Sequence, residues 1–168
     1  MDYLCQGSRE TVQKRCMKKN RFWLFFGLTA LAGLTMITRK KINPVIGKIT
    51  SGFGNRIHPV TGKQEFHNGV DVLASLGTPV KSPDEGTVLS VYFNSVGGNQ
   101  VIIRHPGEMV TGYAHLEKAL VRAGQKITAG HVIGQVGNTG QVTGAHLHFT
   151  LKKQGVLIDP LTRFSFQS

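Results

Sequence analysis

From residue 42 onward, apolar and polar residues alternate in short runs, each closed by glycine: GTVLSVYF at 86–93, NQVIIRH at 99–105, HVIGQVG at 131–137 and GAHLHF at 144–149. Alternation with period two sends successive side chains to opposite faces of a strand. Glycine-rich breaks at this spacing favour turns. The pattern predicts strands over 47–51, 78–81, 86–93, 99–105, 110–115, 131–137, 144–152 and 155–159. The segment 94–98 reads as a hairpin loop, 52–54 as a turn leading into a long polar loop up to His67, and 121–130 as a loop. No stretch after residue 42 keeps a helical period. The fold class is therefore mainly β: one antiparallel sheet, folded into a sandwich or a half-open barrel.

The first 41 residues follow another rule. Residues 1–21 are polar and basic, 22–38 (FWLFFGLTALAGLTMIT) carry no charge, and Arg39, Lys40 and Lys41 close the stretch. About seventeen residues is the lower limit for a helix crossing a bilayer, and Phe22 and Trp23 stand where interfacial aromatics anchor such helices. No small-x-small cleavage site ends the run. The expectation is one uncleaved signal-anchor transmembrane helix at 22–38 after a basic cytoplasmic segment at 1–21, a linker at 39–47, and a domain at 48–168. The larger basic flank lies N-terminal. The positive-inside tendency then puts the N-terminus in the cytoplasm and the domain on the periplasmic or extracytoplasmic side of the inner membrane.

Charge sharpens this division. The formal net charge is +11, yet residues 1–41 hold nine Lys/Arg against two acidic residues, while 42–168 hold eleven against seven. The domain is only mildly basic and has no basic face interleaved with aromatics, which argues against nucleic acid as a partner. Twenty-one glycines and 17% charged residues suit a turn-rich β domain. Cys5 and Cys16 precede the apolar run, so the domain has neither a disulfide nor a cysteine-ligated metal site.

All seven histidines lie in the domain. His146 and His148, two apart in a strand, project from one face. His67 and Asp71 offer an imidazole and a carboxylate four positions apart. Together they supply donors of the kind a catalytic zinc uses: two histidines, one carboxylate and a fourth position left to water. Asp71 also reads as a turn residue after Gly69, and His105 and His131 as strand-end or surface residues. No HExxH sequence is present, so the glutamate base of that other zinc-protease class is missing.

Five ordered segments then carry a resemblance: SGFGNRIHPVTG at 51–62, HNGVDV at 67–72, GTPVKSPDEGTV at 77–88, TGYAHL at 111–116 and GQVGNTGQVTGAHLHF at 134–149. With the terminal IDP at 158–160, the chain resembles the lysostaphin-type (M23, LytM-like) zinc metalloendopeptidases over about residues 44–160. The resemblance implies one Zn²⁺ per domain, held by His67, Asp71 and His148, with His115 and His146 as catalytic histidines that do not bind metal. Arg56, His58, Asn138 and Thr143 become expected substrate-side residues. Some relatives are held off by an upstream residue that caps the zinc; Asn43 is the corresponding candidate. The implied function is cleavage of peptide bonds in bacterial peptidoglycan, which the expected helix at 22–38 would anchor at a membrane, serving cell-wall remodelling or phage entry or lysis. The alternative is a non-catalytic module that binds wall or partner and regulates another hydrolase.

Overall fold

The computed structural model describes residues 42–57 and 62–167; the expected membrane helix at 22–38 and His58 lie outside the described residues. Among the described residues twelve strands follow one another: β1 Lys48–Ser51, β2 Gly54–Ile57, β3 Gln64–His67, β4 Val70–Leu73, β5 Pro79–Lys81, β6 Gly86–Asn94, β7 Gly98–His105, β8 Met109–Ala119, β9 Lys126–Ile127, β10 Val132–Val136, β11 His146–Lys153 and β12 Val156–Ile158. A 3₁₀ turn at Pro160–Thr162 is the only helical element among the described residues. Among the described residues every strand pairing is antiparallel, as the alternation predicts.

Ten strands form one sheet in the order β1-β4-β11-β8-β7-β6-β9, with β5, β10 and β12 branching from it. The branch is made by β8. Its first part, through Ala114, pairs with β11, and its last part, from Leu116, pairs with β10. A single hydrophobic cluster draws on both ladders: Leu147, Phe149 and Leu151 of β11, Val70 and Val72 of β4, and Ile133 and Val136 of β10. Alternation in β11 sends those three side chains inward and leaves His146 and His148 on the opposite face. Burying a side chain of that size contributes roughly 1.5–3 kcal/mol, so the core sets which face the histidines take.

Four features depart from the sequence reading. The stretch expected as a polar loop up to His67 is the β2–β3 hairpin, pinned by an edge-to-face pair of Phe53 and Phe66 with centroids 5.1 Å apart. Short strands β4 and β9 form where no strand is expected, and β8 runs to Ala119. Residues 42–47 are no free linker: Val45 joins the core, Lys81 N donates to Pro44 O at 2.8 Å, and Gly47 N donates to Phe166 O at 2.8 Å. The C-terminal Phe164 and Phe166 close the core against Phe149.

His105 ends a strand, as expected, but is buried at 4% exposure. Its Nδ1–H donates to Glu85 O at 2.8 Å, and Nε2 lies 2.7 Å from Thr111 Oγ1. Burial pushes its pKa below the ordinary 6.5, against the opposing pull of the Glu85 carbonyl and Asp84. The unfolded chain therefore takes up a proton that the folded chain refuses. The stability tied to His105 is complete above pH 6.5 and is lost as pH falls from 6.5 toward the folded pKa. Urea midpoints are expected to drop between pH 7.5 and 5.5, and to drop less in His105→Gln. Equal drops would show that His105 carries none of this dependence.

Candidate functional site

Three elements deliver the donors. β4 alternates so that Val70 and Val72 are buried and Asp71 faces the other way. Asp71 is the direct cross-strand partner of His148 on β11, which puts carboxylate and imidazole side by side on the face away from the core. His67 ends β3, and the chain passes straight into β4 through Asn68 and Gly69. A Cβ at Gly69 would lie 2.4 Å from Phe149 O, so only glycine lets this crossing lie against β11.

Asp71 Oδ1 lies 2.8 Å from His148 Nδ1 and 3.2 Å from His67 Nε2, and those two nitrogens are 3.1 Å apart. Among the described residues, these three side chains form the group able to hold a metal ion. Tetrahedral zinc with bonds of ~2.0–2.1 Å separates its ligand atoms by about 3.3 Å. The observed triangle, with sides of 2.8, 3.1 and 3.2 Å, matches that within about half an ångström, and the donor set leaves a fourth position free of protein ligands. The residues fit zinc.

The outer contacts prepare each donor. His67 Nδ1–H donates to Gly52 O at 2.7 Å, which leaves Nε2 as the lone-pair nitrogen. His148 Nε2–H donates to Asn68 Oδ1 at 3.0 Å, which turns Nδ1 toward Asp71. Arg56 holds the other carboxylate oxygen: Nη1 is 3.2 Å from Asp71 Oδ2, while Nε reaches Glu65 Oε1 at 2.8 Å and Nη1 also bonds Ser51 Oγ. Burial pushes the Asp71 carboxyl up, but the close approach of the His148 and His67 imidazoles more than offsets it and holds it well below the usual carboxylate range. Partners that orient metal-binding histidines typically account for 10–100-fold in affinity. Asn68→Ala is accordingly expected to weaken zinc binding about 10–100-fold in a competition titration with a chromogenic chelator; unchanged affinity would remove Asn68 from this role.

His115 reaches the site by breaking the strand pattern. Thr111 and Tyr113 face the core, and plain alternation would send His115 after them. Instead the β7–β8 register steps from Val101↔Tyr113 to Asn99↔Leu116, so Gln100 alone opposes Ala114 and His115. Such a bulge turns a side chain to the other face. It also puts His115 at φ 61, a left-handed conformation costing a non-glycine residue roughly 1–3 kcal/mol. The ring centroid then lies 4.8 Å from that of His146 and 6.0 Å from that of His148. Nδ1–H of His115 donates to Thr139 O at 3.0 Å, and Nδ1–H of His146 donates to Gly144 O at 2.9 Å. Both rings therefore keep Nε2 as a proton acceptor. Burial pushes the His115 pKa below the ordinary histidine value, and the nearby His146 and His148 add to this, so the ring is neutral at pH 7.

All five of these side chains line an open cleft of about 820 Å³. Of the expected substrate-side residues, Arg56 and Thr143 line it, though Arg56 also braces the ligand carboxylate. Asn138 is exposed but does not line the cleft; its neighbour Thr139 makes the contact to His115. Asn43 is not part of the cleft either, donating to Ser165 Oγ at 3.2 Å. Sequence reasoning missed the cleft residues Asn68, Phe66, Asn94, Gln100 and Gln141. Asn68 alone had a visible signal, lying inside the HNGVD segment.

The profile of peptidase family M23 matches residues 65–160. The Vibrio cholerae peptidoglycan DD-endopeptidase ShyC is 40% identical over 116 residues, covering 68% of this chain and 27% of the relative. The chain spans about a quarter to somewhat over a third of the length of the curated relatives it is compared with. Among solved structures, a zinc-containing peptidase from Vibrio cholerae superposes with a TM-score of 0.65 at 38% identity, over 71% of this chain and 39% of that one. The catalytic domain of the antimicrobial peptidase lysostaphin from Staphylococcus simulans gives a TM-score of 0.63 at 32% identity, over 69% of this chain and 90% of that one.

Proposed function

Because the chain belongs to peptidase family M23, we propose that it is a zinc-dependent endopeptidase hydrolysing peptide bonds of bacterial peptidoglycan. The observation that carries this reading is the convergence of Asp71 Oδ1, His67 Nε2 and His148 Nδ1 beside two further imidazoles in an open cleft. A zinc ion bound by that triangle supplies Lewis acidity toward the scissile carbonyl and lowers the pKa of a water from 15.7 to about 7.

The chain's own residues do the rest. His67, Asp71 and His148 arrive with their donor atoms already oriented, so little reorganisation accompanies metal uptake. Arg56 keeps the Asp71 carboxylate in place through Oδ2. His115 and His146 present unprotonated Nε2 atoms toward the cleft. His115, held neutral, accepts the proton of the attacking water on Nε2 and gives it up to the leaving amine, and His146, whose Nε2 faces the same cleft, is the second acceptor for that proton on the way. The openness of the cleft suits an extended peptide within a bulky polymer. The relatives named as DD-endopeptidases make the DD cross-link the first bond to test.

The expected helix at 22–38 completes the proposal: it anchors the chain in the inner membrane, with the domain outside and within reach of the wall, for wall remodelling or phage entry or lysis. The test is the detergent-solubilised full chain incubated with purified peptidoglycan, with and without chelator, and products read by mass spectrometry. New amino termini that vanish on chelation and return with zinc are expected. Stoichiometric zinc without cleavage of any wall chemotype would overturn catalysis in favour of a wall- or partner-binding module. A mature protein beginning after residue 38 would overturn the anchor.

A further inference from the structure

We infer that Thr139 is a positioning residue for His115, fixing which imidazole nitrogen faces the cleft. The role is exerted by its backbone carbonyl, but its side chain holds that carbonyl in place. Thr139 Oγ1 donates to Leu116 O at 2.7 Å, the residue directly after His115, and accepts from Asn99 N at 3.1 Å. The hydroxyl thus ties the loop after β10 to the end of the bulge in β8 and to the start of β7. Asn99 doubles the fastening, its Nδ2 donating to Leu116 O at 3.1 Å and to Glu117 O at 3.0 Å. Gly98, at φ 64, brings the β7 backbone so close that a Cβ there would lie 2.2 Å from Thr139 Oγ1. His115 N donates to Gly97 O at 2.8 Å, so the backbone of the histidine is held by the same hairpin.

The consequence lies in the tautomer. A neutral imidazole carries one proton, and the hydrogen bond made by one nitrogen decides which it is. With Thr139 O in place the proton sits on Nδ1, and Nε2 presents a lone pair to the cleft. If the carbonyl drifts, Nδ1 loses its acceptor and the Nε2–H tautomer becomes populated. That form cannot accept a proton at the cleft side. Metal binding is untouched, because Thr139 contacts none of His67, Asp71 and His148.

This inference rests on the reading of His115 as the group that accepts the proton. Its test combines Thr139→Val, which keeps the shape and removes the hydroxyl, with Thr139→Ser, which restores it. In the Val variant kcat is expected to fall about 10–100-fold, with KM and zinc content unchanged, and Ser is expected to recover most of the loss. Imidazole ¹⁵N shifts of His115 at neutral pH give a readout independent of turnover: a proton on Nδ1 in the wild type and in Ser, a mixture of tautomers in Val. Wild-type kcat or an undisturbed tautomer in the Val variant would overturn the proposal. So would a wild-type His115 carrying its proton on Nε2, a result that needs no variant to fold. Should the wild type cleave nothing, the proposed peptidase function falls, while the ¹⁵N shifts still decide the part played by Thr139.

Discussion

Replacing His148 by alanine is expected to lower kcat/KM by about 10³-fold or more, and to take bound zinc from one equivalent per chain to a small fraction of one. Metal-ion stabilisation of developing charge is worth several kcal/mol, and each ~1.4 kcal/mol is a factor of ten in rate. The substitution removes one corner of the donor triangle and also the Asn68 contact that orients it. The fold is expected to survive, since His148 points away from the core and Asp71 keeps Arg56 as a partner. Asp71→Asn makes the companion test: nearly the same shape, one weaker donor and no negative charge. Elemental analysis and muropeptide release, measured on the same samples, check both variants. Full zinc occupancy with activity within tenfold of wild type would exclude His148 as a ligand.

Alanine at His115 is expected to produce a different failure: a loss of about 10²–10⁴-fold in kcat, the usual worth of a positioned general acid or base, with zinc still stoichiometric. The distinction follows from geometry. His115 lies outside the donor triangle, yet its ring is 4.8 Å from His146 and 6.0 Å from His148 between centroids. His146→Ala is expected to resemble it, though Nε2 of His146 lies 3.8 Å from Asp71 Oδ1 and a modest loss of zinc affinity accompanies the change. If the two imidazoles serve one transition state, the double variant loses little more than the worse single one. Losses that multiply would mean that they act in separate steps. A His115→Ala enzyme with unchanged kcat would remove the residue from catalysis altogether.

Much of the site is legible in the sequence alone. The alternation in HLHFTL puts His146 and His148 on one face and Leu147, Phe149 and Leu151 on the other, and the structure keeps that division. The donor types and the HNGVD spacing were equally visible, as was the β6–β7 hairpin. The β2–β3 hairpin was not, because it is short, polar and closed by a single aromatic pair, giving little hydrophobic period to detect. Thr139 escaped notice for another reason: it acts through a carbonyl, and every residue has one.

The chain's local chemistry accounts for the strands, their inward faces and the supply of imidazole and carboxylate, since a period of two and a side chain's donor atoms belong to a few consecutive residues. The meeting of Asp71 with His148, the grip of Arg56 on Asp71 and the turning of His115 out of the core are of another kind. Each depends on strands far apart in sequence. His115 is the clearest case, because local alternation assigns it to the core beside Tyr113. Only the change of partner along β8, with Gln100 facing two residues, carries it into the cleft. Register between distant strands comes from packing the whole core, and it is this non-local ordering that gathers into one cleft the imidazoles and the carboxylate that a local pattern could only nominate.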